Sequence, residues 1–271
     1  MSTVVFLGGG RITSAMLAGL RLAKTRHRLV VHDRNPAKLR DLKKRYAVAV
    51  QPDLSSAVKQ ADVLIVAVRP SSVRELLRAI GNAIGNGIRS IDRPLLAVSL
   101  AAGVPLRVLS KLVGPPLQWA RAMPSPLCRS GRGLTAVTFP RTLPRSNRKR
   151  IQDLFASFGQ VVEIPESKFD AFTVVYSCSH GYHALATLAR TGQAAGLDRN
   201  TALLASAHAL ADGIIAWRDG NDSVESLLEE AVTPGGIAAA TVNQTDVAGY
   251  GRAIRQGVGA GLRRARANAG K

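Results

Sequence analysis

The chain has 271 residues, enough for one or two domains, and 46% are apolar, enough for a sizeable core. No apolar run reaches the roughly 18 residues of a membrane span, and two cysteines, Cys128 and Cys178, exclude a disulfide framework. The formal charge is +19, yet residues 1–150 hold 27 Lys+Arg against 6 Asp+Glu and residues 151–271 hold 10 against 12, which excludes a uniformly basic coat protein.

Thr3–Leu7 reads as a buried strand that runs into Gly8-Gly9-Gly10, and Ile12–Ala23 has helical spacing. A strand is expected at Arg28–His32, a polar helix at Pro36–Arg45, a short strand at Ala47–Val50 and a helix at Leu54–Gln60. Asp62–Val68 is apolar nearly throughout, and Ser71–Ile80 reads as a helix with Ser71 as N-cap. Further strands are expected at Leu95–Leu100, Leu117–Met123, Thr135–Phe139 and Gln160–Ile164, with helices at Pro105–Val113 and Arg148–Phe158. Strands apolar on both faces that alternate with helices indicate a parallel sheet covered on two sides. The expected fold class is α/β: a doubly wound (Rossmann) dinucleotide-binding domain over residues 1–165, then an all-α domain over residues 166–271.

Beyond Pro165 no strand is expected. Phe169–Arg190 is helical in composition but interrupted at Ser177-Cys178-Ser179-His180-Gly181. Asp198 caps a helix to about Trp217, and Asp222–Glu225 starts the next. Thr233–Gly236 reads as a turn, and a last helix runs from about Asp246 to Ala267.

The glycine loop lies between the first strand and the first helix. Gly8 and Gly10 permit the tight turn and the close approach of a pyrophosphate, while Arg11 and Ile12 open a helix whose free N–H groups attract anions. Thr13 replaces the third glycine of the usual pattern. After the second strand, Asp33 suits ribose hydroxyls and Arg34 suits a 2′-phosphate, with Lys38 one helical turn on. NADP(H) is therefore favoured over NAD(H), and Asp33 reads equally as a turn or capping carboxylate. Val68-Arg69-Pro70 and Met123-Pro124 end later strands, where cofactors bind in such sheets; Arg69 reads equally as a surface charge. No Cys/His set has zinc spacing, so no metal is expected.

Several ordered landmarks are similar to those of the pyrroline-5-carboxylate reductase family. They are the glycine loop, Asp33–Lys38, Ala61–Pro70, Val98–Val104, Arg121–Pro124, Lys168–Ala171 and Val232–Gly236. The resemblance implies NAD(P)H-dependent reduction of a cyclic imine to L-proline, an amino-acid biosynthesis step. It also implies a helical domain that interlocks with a second subunit, within larger rings in many members. It adds Ala102 to the cofactor set.

The departures fall in the substrate segments. The family reads Ser-Gly-Ser-Gly-Pro-Ala-Tyr where this chain has Tyr176–Tyr182, and both threonines after Pro-Gly-Gly are replaced by Ile237 and Ala238. By resemblance these two segments cradle the imino acid, so Ser177, Gly181, Tyr182, Gly235 and Gly236 are read as substrate-binding; Ser179 and Thr233 offer hydroxyl donors for the chemistry, and His180, where the family has proline, is a further catalytic candidate. His180 reads as a proton donor or carboxylate ligand, or as a turn residue. Imine reduction needs no dedicated base, and hydroxyacid dehydrogenases of similar layout use a lysine that is absent between Phe169 and Gly270.

The expected partners are a small imine and a second copy of the chain. Met1–Gly10 carries no positive n-region, so a cytoplasmic location without membrane attachment is expected, and nucleic acid is not. The alternatives are a related imine reductase or deazaflavin-linked NADP oxidoreductase, and a non-catalytic NADP-binding protein whose basic face meets a polyanion.

Overall fold

The structure, a computed structural model, describes residues 1–85 and 94–270. Among these, eight strands form one sheet: β1 (Thr3–Leu7), β2 (Arg28–His32), β3 (Ala49–Val50), β4 (Val63–Val66), β5 (Leu95–Ser99), β6 (Leu117–Pro124), β7 (Gly133–Thr138) and β8 (Gly159–Glu163). Their order is β3-β2-β1-β4-β5-β6-β7-β8. The order reverses at β1, whose neighbours are β2 and β4. Open α/β sheets bind ligands beyond the carboxyl ends of their strands at that kind of switch point.

The wholly parallel sheet expected from sequence is corrected at one place. β7 runs antiparallel to β6, with Arg121 opposite Thr138 and Pro124 opposite Thr135. The connection holds only a 3-10 turn at Pro126–Ser130. A parallel crossover needs a dozen or more residues, so the chain turns back instead.

The first seven helices are α1 (Arg11–Leu22), α2 (Pro36–Tyr46), α3 (Leu54–Lys59), α4 (Pro70–Gly85), α5 (Leu106–Leu112), α6 (Arg145–Ala156) and α7 (Glu166–Val175). Alternate residues of β1 feed two cores. Val4 and Phe6 join Met16, Leu20, Leu42 and Phe155 from α1, α2 and α6. Val5 and Leu7 join Leu77, Ile80 and Leu109 from α4 and α5. Period-2 alternation with both faces buried is the signature of a covered sheet.

α4 begins one residue before its expected cap. Pro70 takes the first helical position, where its missing N–H costs nothing, and Ser72 N–H donates to the Arg69 carbonyl (2.9 Å). Ser71 therefore lies inside the first turn.

The remaining helices are α8 (Ser179–Ala194), α9 (Arg199–Asp219), α10 (Val224–Ala231), α11 (Ile237–Val247) and α12 (Tyr250–Gly270). Asp198 caps α9 by accepting from Asn200 and Thr201 N–H, and Ser223 caps α10 by accepting from Ser226 N–H. The last helix expected from about Asp246 starts at Tyr250 instead, and Asp246 and Val247 close a further helix, α11. Gly249, at φ +91°, separates α11 from α12. The run Ile237–Ala240 has no polar face, so periodicity did not mark α11.

The chain divides into two compact units, Met1–Val174 with Gly261–Lys271, and Val175–Ala260. The boundary expected at 165/166 falls inside the first unit, which takes in α7 and the end of α12. No helix among the described residues is long and apolar enough to cross a membrane.

Candidate functional site

The glycine loop shows why each residue type stands where it does. Gly8 has φ +112°, and a Cβ there would lie 2.7 Å from the Ala67 carbonyl oxygen. Only glycine lets β1 turn this close to the end of β4. Gly10 faces open space, with nothing within 4 Å of an added Cβ. It is the N-cap of α1 and supplies no side-chain cap, and the first turn has no acidic residue. Arg11 is exposed and Ile12 half-buried beside it. An uncapped helix start above a glycine gap suits an anion. Thr13, buried, donates its hydroxyl to the Gly8 carbonyl (2.6 Å). It braces the turn from below in place of the third glycine.

Asp33 and Arg34 sit where expected, with partners the sequence did not reveal. Asp33 Oδ2 accepts the Gly9 N–H at 2.7 Å and Oδ1 accepts the Asn35 N–H at 2.8 Å. The turn role is thus real, and the carboxylate ties the β2 loop to the glycine loop. Arg34 pairs with Glu75 of α4 at 2.7 Å, with both side chains more than two-thirds exposed. Such a pair contributes little to stability and exchanges readily for a stronger anion. Lys38 Nζ lies 3.7 Å from Asp33 Oδ2.

Val68, Arg69 and Pro70 follow β4, Ala102 follows β5, and Met123 and Pro124 end β6. These segments share the carboxyl edge of the sheet with Gly8–Ile12. Val68 flanks Gly8, Arg69 is exposed and Met123 is half-buried.

One cluster at this edge was not anticipated. Arg121, 1% exposed, donates to Glu166 Oε1 (2.9 Å) and Asp170 Oδ1 (3.0 Å) of α7. Its guanidinium lies 4.3 Å from the centroid of the Phe169 ring. Arginine inside a buried strand was the available signal, because a buried charge requires partners.

The segments assigned to substrate lie in the second unit. Ser179, His180 and Gly181 form the first turn of α8, and Ser177 Oγ and Ser179 Oγ are 2.7 Å apart. Tyr182 is exposed. Thr233 is exposed and its carbonyl accepts the Gly236 N–H (2.9 Å). Gly235 has φ +76°, and Gly236 is the N-cap of α11 without a side-chain cap. The hydrogen bonds named here stay within each segment. The start of α11 has no side-chain cap, which suits a carboxylate, whereas at α8 the Ser179 and His180 N–H groups donate to the Ser177 hydroxyl (3.4 Å) and carbonyl (3.1 Å). His208 is a surface residue paired with Asp212 at 3.0 Å. Cys128 is buried, and burial pushes its thiol up to about 11, so it is no nucleophile.

Two family models match the chain. Residues 3–91 match "NADP oxidoreductase coenzyme F420-dependent", and residues 166–268 match "Pyrroline-5-carboxylate reductase dimerisation". The pyrroline-5-carboxylate reductase of Corynebacterium melassecola is 28% identical over 252 residues, covering 92% of each chain. That of Mycobacterium leprae is 33% identical over 216 residues, covering 78% of this chain and 72% of the relative. The fold matches a Plasmodium falciparum pyrroline carboxylate reductase solved with NADP bound, with a TM-score of 0.85, 20% identity and coverage of 99% and 98%. The Streptococcus pyogenes enzyme gives a TM-score of 0.87 at 21% identity, covering 98% of each chain. With a dinucleotide-type loop at one end and the matched helical half at the other, the chain belongs to the pyrroline-5-carboxylate reductase family.

Proposed function

We propose that the protein reduces pyrroline-5-carboxylate to L-proline with NADPH, as a step of proline biosynthesis. The observation that carries this is the match of residues 166–268 to the reductase dimerisation model behind an open glycine loop. Gly8 and Gly10 leave room for a pyrophosphate, and the α1 N–H groups of Arg11 and Ile12 would hold it. Asp33 would orient the adenine-side ribose, and Arg34 with Lys38 would hold the 2′-phosphate. Val68–Pro70, Ala102, Met123 and Pro124 would flank the nicotinamide side. When bound, the dihydronicotinamide supplies hydride to the imine carbon.

The protein's part is to hold and polarise the imine. The Ser177–Ser179 hydroxyl pair, with the N–H groups near Gly181, Gly235 and Gly236, would hold the carboxylate. Tyr182 would close one side of the ring. His180 and Thr233 would keep a proton on the ring nitrogen, which makes the adjacent carbon electrophilic. No lysine or other dedicated base is required.

The helical unit would form a homodimer. α9 has 21 residues, of which only Ala202 and Ser206 are buried, while Leu203, Leu204, Ile214, Ile215 and Trp217 stand exposed. An apolar face of that size calls for a partner, and a second copy presents the same face.

The test is NADPH oxidation with pyrroline-5-carboxylate against a panel of other cyclic imines and a deazaflavin. The pyrroline is expected to turn over fastest. Turnover confined to the deazaflavin would favour a second reading, prompted by the model matched by residues 3–91. Arg34→Ala is expected to raise KM for NADPH by about tenfold or more while leaving KM for NADH within about threefold, since a charge-assisted phosphate contact is lost. Equal effects on both cofactors would contradict the NADP(H) preference.

A further inference from the structure

α12 begins in the helical unit, but from Gly261 onward it belongs with the sheet. There it meets the loop that follows β5. The Ala265 carbonyl packs against Gly103 so closely that no Cβ would fit, and Gly103 is held at φ +73°. About one helical turn further on, Asn268 Nδ2 donates to the Ala102 carbonyl at 3.2 Å, a contact between residues 166 positions apart. From α7, Glu166 Oε1 accepts the N–H of Leu106, the first residue of α5, at 2.9 Å. The same oxygen holds Arg121.

The loop is anchored by Ala101 and Val104, both buried in the second core, but it has few other hydrogen bonds. Leu100 N–H donates to the Val66 carbonyl (3.0 Å), which is its last bond to a neighbouring strand. Ala101 N–H reaches the Ser99 hydroxyl at 3.3 Å, and Val104 N–H reaches the Ala101 carbonyl at 3.5 Å. Both are long bonds made inside the segment. Between these two buried anchors, the Ala102 carbonyl is held by the hydrogen bond from the end of the last helix.

We propose that Asn268 is a positioning residue for the dinucleotide: by fixing the Ala102 carbonyl it holds the β5–α5 loop against the cofactor cleft. The proposal rests on the reading of Ala102 as part of the NADPH site. It gives the last turn of α12, some 166 residues away in sequence, a direct hold on cofactor affinity. In this reading Asn268 acts through the Ala102 carbonyl alone, so its removal acts on binding rather than on the hydride step.

The test uses the full chain. NADPH affinity is measured by nicotinamide fluorescence without imine, followed by steady-state kinetics and by amide exchange of residues 101–104. Asn268→Ala is expected to raise both Kd and KM for NADPH about fivefold, the worth of one neutral hydrogen bond, with kcat within about twofold. Exchange at residues 101–104 is expected to quicken. Asn268→Asp, which sets a carboxylate against the Ala102 carbonyl, is expected to weaken binding further. Asn268→Gln keeps the donor and is expected to recover part of the affinity. Unchanged NADPH affinity and unchanged exchange in Asn268→Ala would overturn the positioning role alone. A loss of kcat with KM unaltered would overturn it as well. A wild-type chain that binds no NADPH would overturn the cofactor reading, and the positioning role with it.

Discussion

Arg121→Met is expected to lower the unfolding free energy by about 3 kcal/mol, the low end of the range for breaking a buried ion pair. The guanidinium is 1% exposed and serves two carboxylates at once, Glu166 and Asp170. Methionine fills much of the volume but leaves both carboxylates without a cation. Those carboxylates are about one-third exposed, so water reaches them and limits the loss. The stacking on Phe169 goes too. Arg121→Lys keeps the charge but offers one compact head where the fork spans two acids, so an intermediate loss is expected. Urea titration of the three proteins measures this directly. A loss under about 1 kcal/mol for Arg121→Met, the level of an exposed pair, would show that the network does not anchor α7 to the sheet.

Gly8→Ala and Gly10→Ala are expected to part company. The added methyl at Gly8 meets the Ala67 carbonyl, in a backbone conformation at φ +112° that alanine rarely adopts. Strain of that kind costs about 1–3 kcal/mol by itself, and relieving the contact shifts the loop from the end of β4. Stability falls, and NADPH affinity falls by about tenfold or more, because the Arg11 and Ile12 N–H groups move with the loop. Gly10 has φ −83° and ψ −172°, which alanine accepts, and open space around it. Gly10→Ala is expected to leave stability within about 0.5 kcal/mol. Its methyl would nonetheless stand in the gap proposed for the pyrophosphate, so NADPH affinity is expected to fall. Thermal melts with and without NADPH separate the two effects. A Gly10→Ala protein that binds NADPH like the wild type would remove the pyrophosphate from that gap.

The alternating fold was legible because each strand is apolar on both faces and each βα turn carries its own punctuation. Pro36 after Asn35 marked the start of α2, and Asp198 marked α9, because capping chemistry is local. What depended on distant neighbours was not legible. Asp33 follows β2 as the strand pattern implied, yet its bond to the Gly9 N–H joins loops 24 residues apart. Arg121 and Glu166 lie 45 residues apart, and no local pattern links them. The antiparallel β7 was missed because strand direction depends on the length of the connection rather than on the strand itself. α11 was missed because an alanine-rich run lacks the alternation of polar and apolar faces.

The family membership carries the fold further than it carries the substrate, since Ile237 stands 89% exposed at the start of α11, where the resembling family has threonine. Hydride transfer to the pyrroline is thus the claim most in need of direct measurement. NADPH deuterated at both C4 positions of the nicotinamide, incubated with the protein and pyrroline-5-carboxylate, is expected to give proline carrying a single deuterium at the former imine carbon. Unlabelled proline, or no consumption of the dinucleotide, would contradict the proposed reaction.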